Sequence, residues 1–267
     1  MSFKIFIKAI LPPFFYNAVR GIKKLCISSN RFSGPYKSFS EVTHDDIWNS
    51  NQWFELSKTK LVKAVSNKVT KRHYLHLLIP LINNFAKKQT CELLDWGGGT
   101  GLACFEIQYF LSNKNNITWN VIDNNDRLRD LGLKYAKNLN LKINFSKKIP
   151  NDKKFDIFFS NTSLEYLPDF KVPFEELLVM PQYIVLTRLL VTNNEKVIMK
   201  QNIFGLYSAC VFHKLSELIS YFEGKGYTLI YNLPNFEEIK FLSNFLPKEF
   251  LSKYSNFSRD LILKKID

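Results

Sequence analysis

The sequence predicts an α/β protein built on a mostly parallel sheet with helices on both faces. Three observations carry this. From residue 91 onward, short apolar runs alternate with stretches of helical period. The first of those runs stops on a glycine cluster, the signature of a strand that turns sharply into a helix. A content of 46% hydrophobic and 15% aromatic residues over 267 positions fills the core of one large domain, or of one domain with an appendage. We place the boundary near residue 70, with a basic helical extension and cap over 1–70 and the sheet domain over 71–267.

The elements follow in order. Residues 31–60 carry the aromatics Phe32, Tyr36, Trp48 and Trp53 but no period, and read as irregular. A helix is expected from His73 to Lys87, kinked at Pro80. "CELLDW" is a buried strand and "ACFEIQYFLSN" a helix, followed by the strand "ITWNVID" and the helix "NDRLRDLGLKYAKN". "LKINF" and "KFDIFFSN" are strands, "VPFEELLVM" a helix, "QYIVLTRLLV" a strand and "HKLSELISYFEGKGY" a helix closed by glycines. "TLIYNL" and "RDLILKKI" close the chain without a clear helix between them, so they are expected to pair antiparallel. The sum is about seven mostly parallel strands with an antiparallel final strand.

The N-terminal 30 residues contain Lys4, Lys8, Arg20, Lys23 and Lys24 and no acid. Within "FFYNAVRGIKKL", Phe14, Phe15, Ala18, Val19, Ile22 and Leu25 share one helical face, and the cations take the other. Such a helix suits peripheral contact with an anionic membrane at its inner face, or docking on its own domain. "MSFKIFIKAILPPFF" resembles a signal peptide only in part. Lys8 and Pro12-Pro13 interrupt it and no small-residue cleavage site follows, so it is read as retained. No apolar run reaches the roughly 18–20 residues a membrane span needs. Cys26, Cys91, Cys104 and Cys210 show no paired spacing, which points to reduced thiols in a cytoplasmic protein and to no metal. His44-Asp45-Asp46 is read as a turn or helix start. The net charge of +13 favours anionic partners, but the lysines are scattered and no RNA-binding module is present.

The glycine cluster is the most informative stretch. Of ten glycines in the chain, four fall in "DWGGGTG". Glycine there permits positive φ and close approach of a ligand, and the following helix aims free N–H groups at the turn. The dinucleotide pattern G-x-G-x-x-G/A fails, because Leu102 or Cys104 stands where a small residue is required. A P-loop fails for want of G-K-[ST]. What stands is acid-x-G-x-G-x-G: Asp95, Trp96, Gly97, Gly98, Gly99, Thr100, Gly101. This resembles the first motif of class I S-adenosylmethionine (SAM)-dependent methyltransferases. The resemblance implies that Asp95 meets the ammonium of SAM, that Trp96, Gly97, Gly98, Gly99 and Gly101 form its floor, and that Asp123 with Asn124 receives the ribose. An acid at the end of "NVID" suits a diol, and it also stands where it caps the next helix. After the "FDIFFSN" strand the resemblance places Asn161, Thr162, Ser163, Glu165 and Tyr166 beside cofactor and acceptor. Adenine is expected near Phe145 to Lys147.

Further segments, "RFSGPYKSFSEV", "QNIFGLYSACVFHKLSEL" and a late "GY", are similar to a poorly characterised bacterial methyltransferase family associated with surface polysaccharide (capsule and lipopolysaccharide) biosynthesis. This implies a SAM-dependent O-methyltransferase acting on a small or glycan-linked acceptor, either a sugar hydroxyl or an anionic oxygen such as phosphate or phosphoramidate. A hydroxyl needs a base, for which His213 is the candidate. An anionic oxygen needs cations, for which Arg188 is the candidate. Gln201 and Tyr207 are further candidates for the acceptor site. Two other readings stay open: a nucleic-acid methyltransferase, which the absence of an N-P-P-Y or D-P-P-Y motif disfavours, and a non-catalytic SAM-binding protein.

Overall fold

The computed structural model describes residues 31–66, 75–88 and 90–266. The basic helix expected within residues 14–25, Cys26 and the start of the helix expected at His73 lie outside the described residues. Strands β1 (Phe32–Tyr36), β2 (Cys91–Trp96), β3 (Ile117–Ile122), β4 (Ile143–Ser146), β5 (Ile157–Asn161), β6 (Tyr183–Thr192), β7 (Val197–Ile203), β8 (Leu206–Lys214), β9 (Tyr227–Pro234) and β10 (Ser258–Lys265) form one ten-stranded sheet. The helices are α1 (Asn51–Val65), α2 (Leu75–Lys88), α3 (Leu102–Ile107), α4 (Asp126–Asn138), α5 (Val172–Glu175), α6 (Leu215–Glu223), α7 (Phe236–Leu242) and α8 (Lys248–Lys253).

Strands β4, β3, β2, β5 and β6 run parallel in that spatial order, with β10 antiparallel between β6 and β9. The order reverses at β2, whose neighbours are β3 and β5, and an open α/β sheet binds its ligand at such a point. Successive residues of a strand face opposite sides, so Leu93 and Leu94 belong to different cores. Leu93 packs with Leu61, Leu78, Ile82 and Phe105; Leu94 packs with Phe158, Phe174, Leu218 and Phe222. Pro80 sits inside α2. Cys91, Cys104 and Cys210 are buried and free.

The stretch 31–60 is not irregular throughout. It contributes β1, antiparallel to β7, and α1, whose N-terminus Ser50 caps by accepting from the Trp53 N–H at 3.2 Å. The chain also makes a β7–β8 hairpin that the sequence reading did not place. Its loop is Phe204-Gly205, with φ of 60° and 85°, the twist that a two-residue hairpin requires. "NIFGLY" carries that signal, although phenylalanine is an uncommon residue at positive φ. Strand β8 joins the main sheet through the end of β6, pairing Val191 with His213 and Thr192 with Lys214 in parallel.

The switch along β6 from β5 to β8 falls at Arg188, which has φ 55°, opposite a register shift between Arg259 and Leu261 on β10. This is a β-bulge, and such bulges re-aim a side chain. Its exposed backbone donor is satisfied, because the Arg188 N–H donates to Asp260 Oδ1 at 2.7 Å. Asn235 in turn donates to both Asp260 oxygens at 3.1 Å and accepts from the Glu238 N–H at 3.0 Å, starting α7. The last two strands therefore do have helices between them, α7 and α8, too short for a periodic signature.

Candidate functional site

Every glycine of the G-x-G-x-G spacing adopts the left-handed conformation: Gly97 at φ 71°, Gly99 at 58° and Gly101 at 71°. That alternation is what the motif encodes, since L-residues rarely adopt it. Gly98 is not left-handed and is required for a different reason. A Cβ there would lie 2.5 Å from the Asp95 carboxyl. A Cβ on Gly97 would meet Ser163 Oγ at 2.4 Å, and one on Gly101 would meet Phe145 and Val121 at 3.3 Å. The turn thus lies flush against Asp95 and Ser163, so at these positions glycine is demanded by the protein's own side chains as well as by backbone geometry. Gly97 N–H donates to Ile122 O at 2.8 Å and Gly99 N–H to Asp123 Oδ2 at 2.9 Å, tying the turn to the end of β3. Gly101 heads α3 with no side-chain cap.

Around the turn opens a cavity of about 1740 Å³. On the β2–β3 side it is bordered by Asp95, Trp96, Gly97 to Gly99, Asp123 and Asn124. Asp95 is 2% exposed, its Oδ2 has no hydrogen-bond partner, and burial with the nearby Asp123 charge pushes its carboxyl up to about 7. Asp123 accepts from Asn125 N at 2.8 Å as well as from Gly99, and burial raises it. The cap of α4 is Asn125, whose Oδ1 accepts from Leu128 N at 3.0 Å, so Asp123 does not cap that helix. Past β4 the border is Lys147, Lys148 and Ile149, whereas the Phe145 ring packs beneath Gly101 and Gly132.

From β5 come Asn161, Thr162 and Ser163, all on the cavity. Asn161 Oδ1 accepts from Thr187 Oγ1 at 3.0 Å, and Thr162 is held at φ 54°. Glu165 and Tyr166 follow on a 3-10 turn. Glu165 is 2% exposed, with Oε2 unpartnered, and burial pushes it up to about 8 against the pull of Arg188. Tyr166 donates to Gln201 Oε1 at 3.0 Å and packs edge-on to Trp48, with ring centroids 4.6 Å apart.

The acceptor-site candidates separate. Arg188 and Gln201 border the cavity, but Arg188 Nε and Nη2 both donate to Glu238 Oε2, at 2.9 and 2.6 Å. The expected open anion clamp is therefore engaged by an internal carboxylate. His213 is not on the cavity. It is 2% exposed, packs edge-on to Phe170 with Nε2 3.1 Å from Leu164 O, and burial lowers it to about 4. Strand β8 carries it into the core beyond the wall that Tyr166 and Glu165 form. Tyr207 also lies off the cavity, its N–H donating to Asp45 Oδ2 at 2.6 Å. His44 stacks on Phe39 at 4.6 Å, and among the described residues no group of three or more His, Cys, Asp and Glu could hold a metal ion.

A buried neutral histidine favours protonation only after unfolding, so stability is lost as pH falls from about 6.5 through about 4. His213→Gln should remove up to about 3 kcal/mol of that loss. Urea unfolding of the two proteins at pH 6.5 and 4.5 checks it, and an equal pH slope would show that His213 is not buried neutral.

Residues that the sequence reading missed are Trp48, Trp53, Lys148, Glu238 and the pair Phe241 and Phe245. Arg31 lies over the last two rings, 5.2 and 4.9 Å from their centroids. The tryptophans were visible as unexplained aromatics in a polar stretch; Glu238 had no local signal.

No protein-family model matches the chain, and no curated protein matches it significantly. Among solved structures it is similar to a SAM-dependent methyltransferase from Clostridium acetobutylicum: 13% identity, TM-score 0.50, 81% of this chain and 100% of that one. It is similar also to magnesium protoporphyrin IX methyltransferase from Synechocystis, solved with bound SAM: 10% identity, TM-score 0.51, 83% and 94% of the two chains. The chain has the class I methyltransferase fold. A third such structure, Haemonchus contortus phosphoethanolamine N-methyltransferase 2 in complex with SAM, matches at 13% identity and TM-score 0.51, over 83% of this chain and 60% of that one. The β4-β3-β2-β5-β6-β10-β9 portion of the sheet carries the glycine turn, and β7 adds a second wall to the cavity through Gln201 to Ile203. Among the described residues no helix is long and apolar enough to cross a membrane.

Proposed function

We propose that the protein is a SAM-dependent methyltransferase that methylates an oxygen of a small or glycan-linked acceptor. The observation that carries this is Asp95: a buried carboxyl beside a left-handed glycine turn, bordering a large cavity, with one oxygen lacking a partner. A ligand ammonium is the partner such an oxygen lacks, since an unsatisfied buried acceptor costs about 1–3 kcal/mol. Asp123 suits the ribose hydroxyls, because a carboxylate accepts more hydrogen bonds than the two it makes within the protein. Lys147 to Ile149 suit the adenine end, and Trp96 walls the methionine. When bound, SAM supplies an electrophilic methyl on a positively charged sulfur. The chain then has to place the acceptor oxygen in line with that methyl and exclude water, to which the aromatic wall of Trp48, Trp53 and Tyr166 contributes. The choice of a surface-glycan acceptor rests on the sequence resemblance alone, and contact of residues 1–30 with an anionic membrane on their charge pattern alone.

Calorimetric titration with SAM tests the reading. Saturable binding at one site per chain is expected, and no heat at millimolar SAM would sink it.

A further inference from the structure

We propose that Glu165 is the general base of this site and that the acceptor is an uncharged hydroxyl rather than a phosphate or other anionic oxygen. The inference rests on the reading that SAM supplies the methyl group. Its starting point is the charge arrangement at the β6–β7 end of the cavity. Two cations are there, Arg31 and Arg188, and two carboxyls, Glu165 and Glu238. Arg188 spends both Nε and Nη2 on one oxygen of Glu238, and Arg31 is held against the Phe241 and Phe245 rings. With Glu165 ionised, as it is above a pH of about 8, these four groups balance. A phosphate added here would bring excess negative charge into a half-enclosed, aromatic-lined space, whereas a hydroxyl adds none.

Glu165 has one carboxyl oxygen without a partner. Its side chain is almost wholly buried, it borders the cavity, and its Oε2 makes no hydrogen bond. Its neighbour Tyr166 is already committed to Gln201, and His213, the alternative base, is off the cavity. The turn carrying Glu165 follows directly from Asn161 to Ser163, which border the cofactor side, so the carboxyl stands between the two halves of the site. In the step, a lone pair of the hydroxyl oxygen forms the new O–CH₃ bond. The S–CH₃ bond breaks with its electron pair left on sulfur. The hydroxyl proton passes to the Glu165 carboxylate and from there to solvent. Burial raises the pKa of Glu165 most; its own backbone N–H and then Arg188 favour the carboxylate and Glu238 opposes it, while Tyr166 and Cys210 also lie close, both held in their neutral forms by burial. Burial pushes Glu165 up to about 8, within reach of a proton-transfer role near neutrality.

The test uses two fluorescent probes on one frame, 7-methoxy-4-(hydroxymethyl)coumarin and its phosphate ester. Each is titrated at pH 8.5 into protein saturated with S-adenosylhomocysteine. Wild type should bind the alcohol about tenfold more tightly than the phosphate. Glu165→Gln should bring the two affinities within about twofold of each other, and Glu165→Asp should keep part of the preference. All three proteins should bind S-adenosylhomocysteine equally, which also shows that the variants are folded. A wild-type preference for the phosphate, no preference, or the same preference in Glu165→Gln overturns the proposal. Failure of wild type to bind S-adenosylhomocysteine instead sinks the methyltransferase reading, and the probe preference measured without it still reports on Glu165.

Discussion

Asp95→Asn is expected to weaken SAM binding by about 100-fold or more and, at the same time, to stabilise the SAM-free protein at pH 8. The first effect follows from removing one partner of a buried charge pair, which costs about 2–5 kcal/mol. The second follows from linkage. Asp95 is raised from 3.8 to about 7 in the folded chain. Between those values the folded state holds a proton that the unfolded state has released, so stability falls as pH rises from about 4 to about 7. The integrated penalty is about 4 kcal/mol, of which an amide, uncharged at every pH, is relieved. His213 changes stability in the opposite sense over part of this range, but equally in both proteins, so the difference between them isolates Asp95. Urea unfolding at pH 5 and pH 8 measures the stability arm, and calorimetry measures the binding arm. A variant destabilised at pH 8 would show that the Asp95 carboxylate is not the strained group described above. The trade of stability for a ligand-binding charge is a general feature of functional sites.

Gly132→Ala should destabilise the protein by about 2 kcal/mol, although alanine is the better helix former by about 1 kcal/mol. Gly132 lies inside α4, where an added Cβ would come 2.5 Å from Phe145 Cζ and 2.5 Å from the Thr100 carbonyl oxygen. The partly buried Phe145 ring also lies beneath Gly101. The carbonyl is backbone of the glycine turn, so relief of the clash displaces the turn itself. Loss of SAM affinity should therefore accompany loss of stability, whereas a substitution in the core remote from the turn would lower stability alone. A shift of the urea midpoint to higher concentration in Gly132→Ala would contradict the packing of α4 on the turn.

The sheet was legible from residue 91 because its strands are buried on both faces and read as unbroken apolar runs between helical stretches. The cofactor end was legible because backbone conformation dictates glycine spacing, and the three left-handed positions leave few alternatives in sequence. The far wall was not. Strand β1 is five residues long and α7 seven, below the length at which period is readable. His213 stands first in a stretch of helical period and is the sequence's candidate base, but it is the last-but-one residue of a strand whose inward face is core. The sequence offers Arg188 as a cation for an anionic acceptor. It sits on a bulge within β6, and its partner Glu238 is 50 residues away on a helix with no sequence signature. Long-range pairs of this kind are fixed by topology, which no local pattern carries.

The turn at Asp95 to Gly101 and the acid Asp123 are expected to hold opposite ends of one SAM molecule. A crystal structure with S-adenosylhomocysteine tests it most directly. The expected result is the ligand ammonium hydrogen-bonded to Asp95, directly or through one water, both ribose hydroxyls on Asp123, and the sulfur open toward Glu165. Adenosine placed at the Asp95 end, or a ligand bound outside this cavity, would contradict it.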